Sequence, residues 1–455
     1  MVNSHSHDTI VAMSTPPGRG GVGIVRISGV DAKTIAEKIC RRDTIYRISE
    51  RSILRATFYD QDHAPIDNGL VLFFENPHSF TGEDVVELQA HGSPIVLDQL
   101  IRVAILYGAR LAEPGEFSKR AFLNKKIDLA QAEAIADLIA ANSEQAARSA
   151  VRSLQGEFSK KIHTLQNSLT QLRIQIEAMI DFPEEEIDFL ADPAVGQLLQ
   201  KTIDAVLHVR NTAKQGVLLQ SGLRVVIVGK PNAGKSSLLN YLSGRESAIV
   251  TAIPGTTRDV LRESIHIDGM PLHVVDTAGL RETDDVVEQE GVRRAYAEMA
   301  QADLVLWLVD ASEYDCPDKA DLSKHAAGAS ILLIKNKIDL IDDHPEVIEH
   351  REFTEIKISI QKNLGMDLLI QAIKKIVGFQ SIETDGFIAR RRHVDAIERA
   401  YQFLLHGQQQ LIEYRAGELL AEDLRQAQLA LSEITGEFSA DDLLGKIFSS
   451  FCIGK

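Results

Sequence analysis

Hydrophobic positions along this chain follow three different patterns. From Thr9 to about Asn124, short β-like runs (Thr9–Met13, Ile24–Ser28, Gly69–Glu75 and Asp84–Gln89) surround one helical run, Pro94–Tyr107. Gly and Pro clusters punctuate them. From Ile127 to about Gln220 the apolar positions step by three and four. Leu129, Ala132, Ile135, Ala136, Leu138 and Ile139 would share the buried face of a helix. An acidic stretch at 181–188, containing Pro183, interrupts that region. From Leu223 the runs Val225–Val228, Leu272–Val275, Leu304–Val309 and Ile331–Ile334 alternate with loop- or helix-forming sequence. That alternation predicts a mostly parallel sheet with helices on both faces. After about Gln380 the sequence is helical again to the end, so an α/β unit inserted into a helical one is expected.

Composition narrows the picture. A chain of 455 residues corresponds to about three domains at ~150 residues each. With 44% hydrophobic and 25% charged residues, wholesale disorder is excluded. The 5% aromatic content argues against broad stacking platforms for single-stranded nucleic acid. No apolar run approaches ~18 residues, so no membrane span is expected. The first residues lack the basic stretch and apolar core of a secretory signal. Cys40, Cys316 and Cys452 are far apart and odd in number, which disfavours a disulfide framework or a Cys-type zinc site and points to a reducing cytoplasm. The net charge of −16 excludes a general phosphate-coating binder. Contact with RNA would need a local basic patch or a larger complex, and Arg390-Arg391-Arg392 is the best candidate patch.

The chemistry concentrates in the α/β section. Gly229-Lys230-Pro231-Asn232-Ala233-Gly234-Lys235-Ser236 fits G-x-x-x-x-G-K-[ST], after a strand and before the helical run Ser237–Leu242. Glycines allow backbone N–H groups to turn onto phosphate oxygens. Lys235 would bridge the β- and γ-phosphates, and the Ser236 hydroxyl would hold Mg²⁺. Asp276-Thr277-Ala278-Gly279 follows the next strand; its carboxylate could reach Mg²⁺ through water, and the Gly279 N–H could sense the γ-phosphate. Asn336-Lys337-Ile338-Asp339 follows another, and a carboxylate there can accept two hydrogen bonds from guanine. Adenine lacks that donor pair and would leave Asp339 unpaired, so GTP is expected over ATP. Thr251-Ala252-Ile253-Pro254-Gly255-Thr256-Thr257 is switch-like, with hydroxyls to complete a Mg²⁺ shell. Many GTPases orient water with a Gln after D-x-x-G. Here Leu280 stands in that position, and Glu282, Asp284, Asp285, Glu288 and Glu290 remain as alternative acids.

These motifs are joined by Thr-Pro-Pro-Gly-Arg-Gly-Gly-Val-Gly near the start, Pro254-Gly255-Thr256-Thr257-Arg258-Asp259, Asp276 to Glu282, and the ending Phe451-Cys452-Ile453-Gly454-Lys455. Together they resemble the MnmE/TrmE family of tRNA-modification GTPases over essentially the whole length. The resemblance implies a P-loop GTPase domain (222–378) inserted in an α-helical domain (125–221 and 379–455). An α/β domain at 1–124 would dimerise and bind a 5-formyltetrahydrofolate-type folate. It implies a homodimer working with tRNA and an FAD-containing MnmG-type protein as a heterotetramer, adding a carboxymethylaminomethyl or aminomethyl group to C5 of the wobble uridine. It implies K⁺ in the place of an arginine finger, held by Asn232, Thr251, Ile253 and Thr256, with Mg²⁺ on Ser236 and Thr257. The water-orienting acid maps onto Glu288, and Lys235 shares the catalytic role. Nucleotide contacts extend to Ser237 and Ser359, and folate contacts map onto Arg26, Glu83, Lys126 and Lys455. The last guanine loop departs from the family's Ser-Ala, reading Ser359-Ile360.

Two further patterns carry less. Gly18–Gly23 fits G-x-G-x-x-G, but a β-like run follows where a dinucleotide site needs a helix. Cys452 lies where a prenylated cysteine would, but Lys455 does not fit the usual prenyl termini; a role near the folate site is the alternative. The rival to the tRNA reading is a ribosome-assembly GTPase switch, which shares the central motifs and leaves both ends unexplained.

Overall fold

The computed structural model describes residues 8–41, 53–181, 193–244, 262–276, 298–313, 328–351, 353–379, 386–414, 416–437 and 441–454 of the 455. They fall into two compact units, 1–136 with 432–455, and 137–431.

In the first unit, β1 (Ile10–Met13), β2 (Gly20–Ser28), β3 (Ile53–Tyr59), β4 (Pro65–Phe74), β5 (Val85–Gly92) and β6 (Arg110–Leu111) form a sheet in the order β3-β4-β5-β2-β1-β6. Its neighbours are antiparallel except β1 and β6. Helices α1 (Ala32–Cys40) and α2 (Pro94–Leu106) cover one face, where Ile35, Ile39, Leu97 and Leu100 meet Val25, Ile27 and Leu88. That burial pushes the Cys40 thiol up to about 12, leaving it an apolar core group. The sequence pattern missed α1, which is only about two turns long, and β3, whose half-exposed positions blur the alternation. Gly20 to Gly23 lie inside β2, so no helix N-terminus follows the glycines. Helix α3 (Glu116–Leu123) lies beyond β6. The C-terminal helix, Asp441–Ser449, belongs to this unit: Leu444, Ile447, Phe448 and Phe451 pack with Phe122, Leu129 and Ala132.

In the second unit, α5 (Glu144–Leu154), α6 (Glu157–Asp181) and α7 (Pro193–Ser221) precede a sheet of seven strands among the described residues. Helix α4 (Leu129–Ala140) comes before them. The strands are β7 (Leu223–Gly229), β8 (Arg262–Ile267), β9 (Met270–Asp276), β10 (Leu304–Asp310), β11 (Ser330–Asn336), β12 (Glu346–Glu349) and β13 (Thr354–Lys357), in the order β12-β13-β11-β10-β7-β9-β8. The interior pairs are parallel, and β8 and β12 are antiparallel edges. Alternate residues of β7 face two cores. Val225 and Ile227 join Leu238 and Leu242 of α8 (Lys235–Gly244) and Leu369 of α9 (Met366–Ile376). Val226 and Val228 join Met299, Val305 and Trp307. Such two-sided burial explains why these strands read as continuous apolar runs.

After the sheet come α10 (Arg391–Gln409), a π-helical turn at Gln410–Tyr414 and α11 (Gly417–Thr435). Helix α10 packs on α7, with the Arg210 guanidinium 3.1 Å from Glu398 and over the Tyr401 ring. The Ser153 hydroxyl brackets the Ile388 backbone, donating to its carbonyl and accepting from its N–H, while Phe158 stacks on Phe387 at 4.4 Å. Among the described residues no helix is long and apolar enough to cross a membrane.

Candidate functional site

The loop after β7 turns because its residues permit it. Gly229 and Gly234 take φ of 158° and 108°, and a Cβ on Gly229 would collide with the Leu308 carbonyl. Asn232 sits at φ 65°, a left-handed conformation that Asn tolerates better than most residues. Helix α8 begins at Lys235, so its N-terminus faces the loop, the arrangement that attracts phosphate. The Lys235 ammonium donates to the carbonyls of Gly229 at 2.7 Å and Lys230 at 3.0 Å. Asn232, Ser236 and Ser237 are exposed, whereas Ala233 is buried.

Asn336 ends β11 and ties three segments together. Its amide donates to the Ala233 carbonyl at 2.8 Å and accepts from the Ile360 N–H at 3.1 Å. A Cβ on Gly234 would run into that amide, which accounts for the glycine. Beyond Asn336 the chain passes through Lys337 at φ 67° into a 3-10 turn, Ile338–Leu340. That turn presents Asp339, whose Oδ1 is buried with no hydrogen-bond partner. A buried, unsatisfied carboxylate oxygen costs free energy unless a ligand donor meets it. Ser359 is fully buried, and its hydroxyl accepts from the Lys362 N–H at 3.2 Å. Its neighbour Ile360 gives its N–H to Asn336 and packs its side chain against the core.

One participant was not legible in the motifs. Asp310 closes β10 opposite Asn336 in register. It accepts from the Lys337 ammonium at 2.6 Å and from the Ser312 N–H and hydroxyl at 3.0 and 2.7 Å. Burial opposes its ionisation, but Lys337 and Ser312 outweigh that and hold its carboxyl below the usual range. The available signal was its place at the C-terminal end of a parallel strand, where α/β sheets bind ligands.

The loop, the Asn336 brace and the turn bearing Asp339 adjoin one another beyond β7 and β11, and the comparisons bear on the whole chain. The family models "MnmE helical domain" and "GTP-binding protein TrmE N-terminus" match residues 129–452 and 9–126. The chain is similar to the "tRNA modification GTPase MnmE" of Hydrogenovibrio crunogenus, at 57% identity over 99% of both chains. It is likewise similar to that of Vibrio cholerae, at 57% over 98% of this chain and 99% of the relative, and that of Coxiella burnetii, at 56% over 98% and 99%. The chain belongs to the MnmE/TrmE family of tRNA modification GTPases. Among solved structures, a variant of Aquifex aeolicus Era bound to GDP.AlF4- matches 40% of this chain and 67% of its own at 26% identity, with a TM-score of 0.28.

Of the residues that the family likeness singled out, Thr251, Ala252, Ile253, Pro254, Gly255, Thr256, Thr257, Thr277, Ala278, Gly279, Glu288 and Lys455 lie outside the described residues. Asp276 closes β9. In the N-terminal unit, Arg26 on β2 pairs with Glu87 at 2.8 Å and lies over the Phe80 and Phe117 rings. Glu83 accepts from the Ser28 hydroxyl at 2.8 Å and from Arg120 at 3.1 Å. The Lys126 ammonium donates to the Pro77 carbonyl at 2.8 Å. Arg120 is mostly buried and also pairs with Asp8 and Glu116. The C-terminal tail reaches the same unit: Gly115 donates to the Cys452 carbonyl and the Ser14 hydroxyl to the Gly454 carbonyl. Cys452 itself is exposed.

One arginine of the triplet is taken up by an internal ion pair. Arg390 pairs with buried Asp137 at 2.8 Å, and the same carboxylate accepts from Gln220. His393 is buried and caps α10 by accepting from the Arg390 N–H. Only Arg391 of the triplet is strongly exposed, at 77%.

Proposed function

We propose that this chain is a K⁺-dependent GTPase that acts on tRNA with an FAD-containing MnmG-type partner. The pair would add a carboxymethylaminomethyl or aminomethyl group to C5 of the wobble uridine. What carries the tRNA reading is likeness to family members across nearly the whole chain, both ends included. The guanine part rests on Asp339, whose buried and unpartnered oxygen fits the N–H donors of guanine. Bound Mg²⁺ and K⁺ would supply positive charge to the phosphates as hydrolysis proceeds. Ser236 and Thr257 would hold the first, and Asn232, Thr251, Ile253 and Thr256 the second. Lys235 would exchange its loop carbonyls for phosphate oxygens, and Glu288 would orient the attacking water.

Under this reading residues 222–378 are a GTPase domain inserted in a helical domain. The N-terminal domain, 1–124, dimerises and takes a 5-formyltetrahydrofolate-type folate in the cytoplasm. Arg26, Glu83, Lys126 and Lys455 are its proposed contacts, and the partly exposed Phe80 ring beside Arg26 suits a flat heterocycle. The Phe80 ring and the basic side chains fit such an anionic, flat ligand, although Arg26 and Glu83 already have protein partners that it must share or displace. The test is nucleoside analysis of tRNA from cells lacking the protein. Loss of the C5 substituent at the wobble position is expected; unaltered wobble uridines would favour the ribosome-assembly switch instead.

A further inference from the structure

Two acids line the cleft beside the phosphate loop, together with Lys230, Asn232, Ala233 and Lys337. Glu313 is well exposed and 3.9 Å from Lys230, so it needs no special account. Asp310 is different: its side chain is only 12% exposed, and every contact it makes fixes its orientation. One oxygen accepts twice from Ser312 and the other accepts from the Lys337 ammonium. The Ala311 N–H meanwhile donates to the Asn336 carbonyl, locking the end of β10 to the end of β11.

A carboxylate next to a polyanion site lowers anion affinity by like-charge repulsion if it does nothing else. Lysine, for its part, is a mobile charge on a four-carbon stem, and fixing that stem costs rotamer entropy. A lysine left free here would have to give up that entropy when nucleotide binds. Lys337 is constrained at both ends instead, by its left-handed backbone and by Asp310.

We propose that Asp310 is a positioning residue for the guanine nucleotide: its carboxylate fixes the Lys337 side chain beside Asp339, so that the lysine stem forms an ordered wall for the base. The proposal rests on the nucleotide reading above. It reverses the sign expected from charge alone, because removing an acid from an anion site would tighten binding, whereas releasing Lys337 weakens it.

The test is the GDP dissociation constant of the full-length protein and its Asp310→Asn, Lys337→Ala and doubly substituted forms. Asp310→Asn should weaken GDP by roughly tenfold, the scale of one lost charge-assisted hydrogen bond. In the Lys337→Ala background the same change should matter less than about twofold, since the pair acts as one unit. At saturating GTP, kcat should stay within about twofold of the native rate, the split expected when only shared ground- and transition-state binding is lost. Unchanged or tighter GDP binding by Asp310→Asn overturns the proposal. So does an equal loss in the Lys337→Ala background, which is what a general loss of fold would give. If the native protein binds no GDP, the nucleotide reading itself fails; if it binds GDP and Asp310→Asn binds it equally, only the role of Asp310 fails.

Discussion

At the scale of single residues, the proposed nucleotide pocket can be read from the sequence because its chemistry is compressed into short motifs. Gly234 is fixed by the Asn336 amide that would occupy its Cβ, and Asn336 by the two backbone groups it joins. Asp339 has the simplest prediction. Asp339→Asn should weaken GTP and admit xanthosine nucleotide, because an amide donates where guanine also donates and xanthine accepts. The penalty for a lost or mismatched base hydrogen bond, about 1–3 kcal/mol, corresponds to roughly a 5- to 150-fold loss of GTP affinity. Competition binding with both nucleotides measures it, and unchanged GTP affinity would show that Asp339 does not read the base. Asp310 was not singled out, because one acid at the end of a parallel strand has no motif; its contact with Lys337 is what marks it.

At the scale of elements, the periodicity found the long helices and the apolar strands and missed the short or half-exposed ones. Edge strand β8 pairs on one side only, so it lacks the continuous apolar run of β7 or β10. The junction of β1, β6 and α3 was equally hidden. There Arg110 and Arg120 share Asp8 and Glu116, and Arg120 also holds Glu83, joining residues more than a hundred positions apart. Burial pushes the Glu116 carboxyl up, but Arg110, the Glu113 N–H and Arg120 outweigh it, leaving the group below its ordinary value of 4.5. A carboxyl lowered on folding contributes stability that is fully present above 4.5 and is lost as pH falls toward the folded value. Acid melting of the native protein should therefore steepen below pH 4.5, and Glu116→Gln should flatten that slope while costing about 1.5–3 kcal/mol at neutral pH, since Arg120 loses one of its three acidic partners. Parallel pH–stability curves for the two proteins would show that this cluster does not carry the acid sensitivity.

At the scale of the whole molecule, hydrolysis should depend on groups contributed by separated stretches of chain. Asn232 comes from the phosphate loop, Thr251 to Thr256 from the segment before β8, and Glu288 from the segment after β9. Single-turnover hydrolysis at saturating GTP should be faster in K⁺ than in Na⁺ at matched ionic strength. Glu288→Ala should slow it by about 10²–10⁴-fold with GTP binding nearly intact, the range for a group acting on water in the transition state. Equal rates in the two salts would remove the ion, and a near-native rate for Glu288→Ala would return the choice to Glu282, Asp284, Asp285 and Glu290. The sequence by itself determined the guanine-nucleotide chemistry, the parallel character of the central sheet and the family resemblance, because local spacing and apolar periodicity encode each of them. Tertiary structure decided the rest. It gave Arg390 to buried Asp137 rather than to solvent, set Asp310 against Lys337, and packed the helix at 441–449 against Phe122 and Leu129. Those outcomes depend on which distant side chains share a buried space, and no spacing along the chain records that.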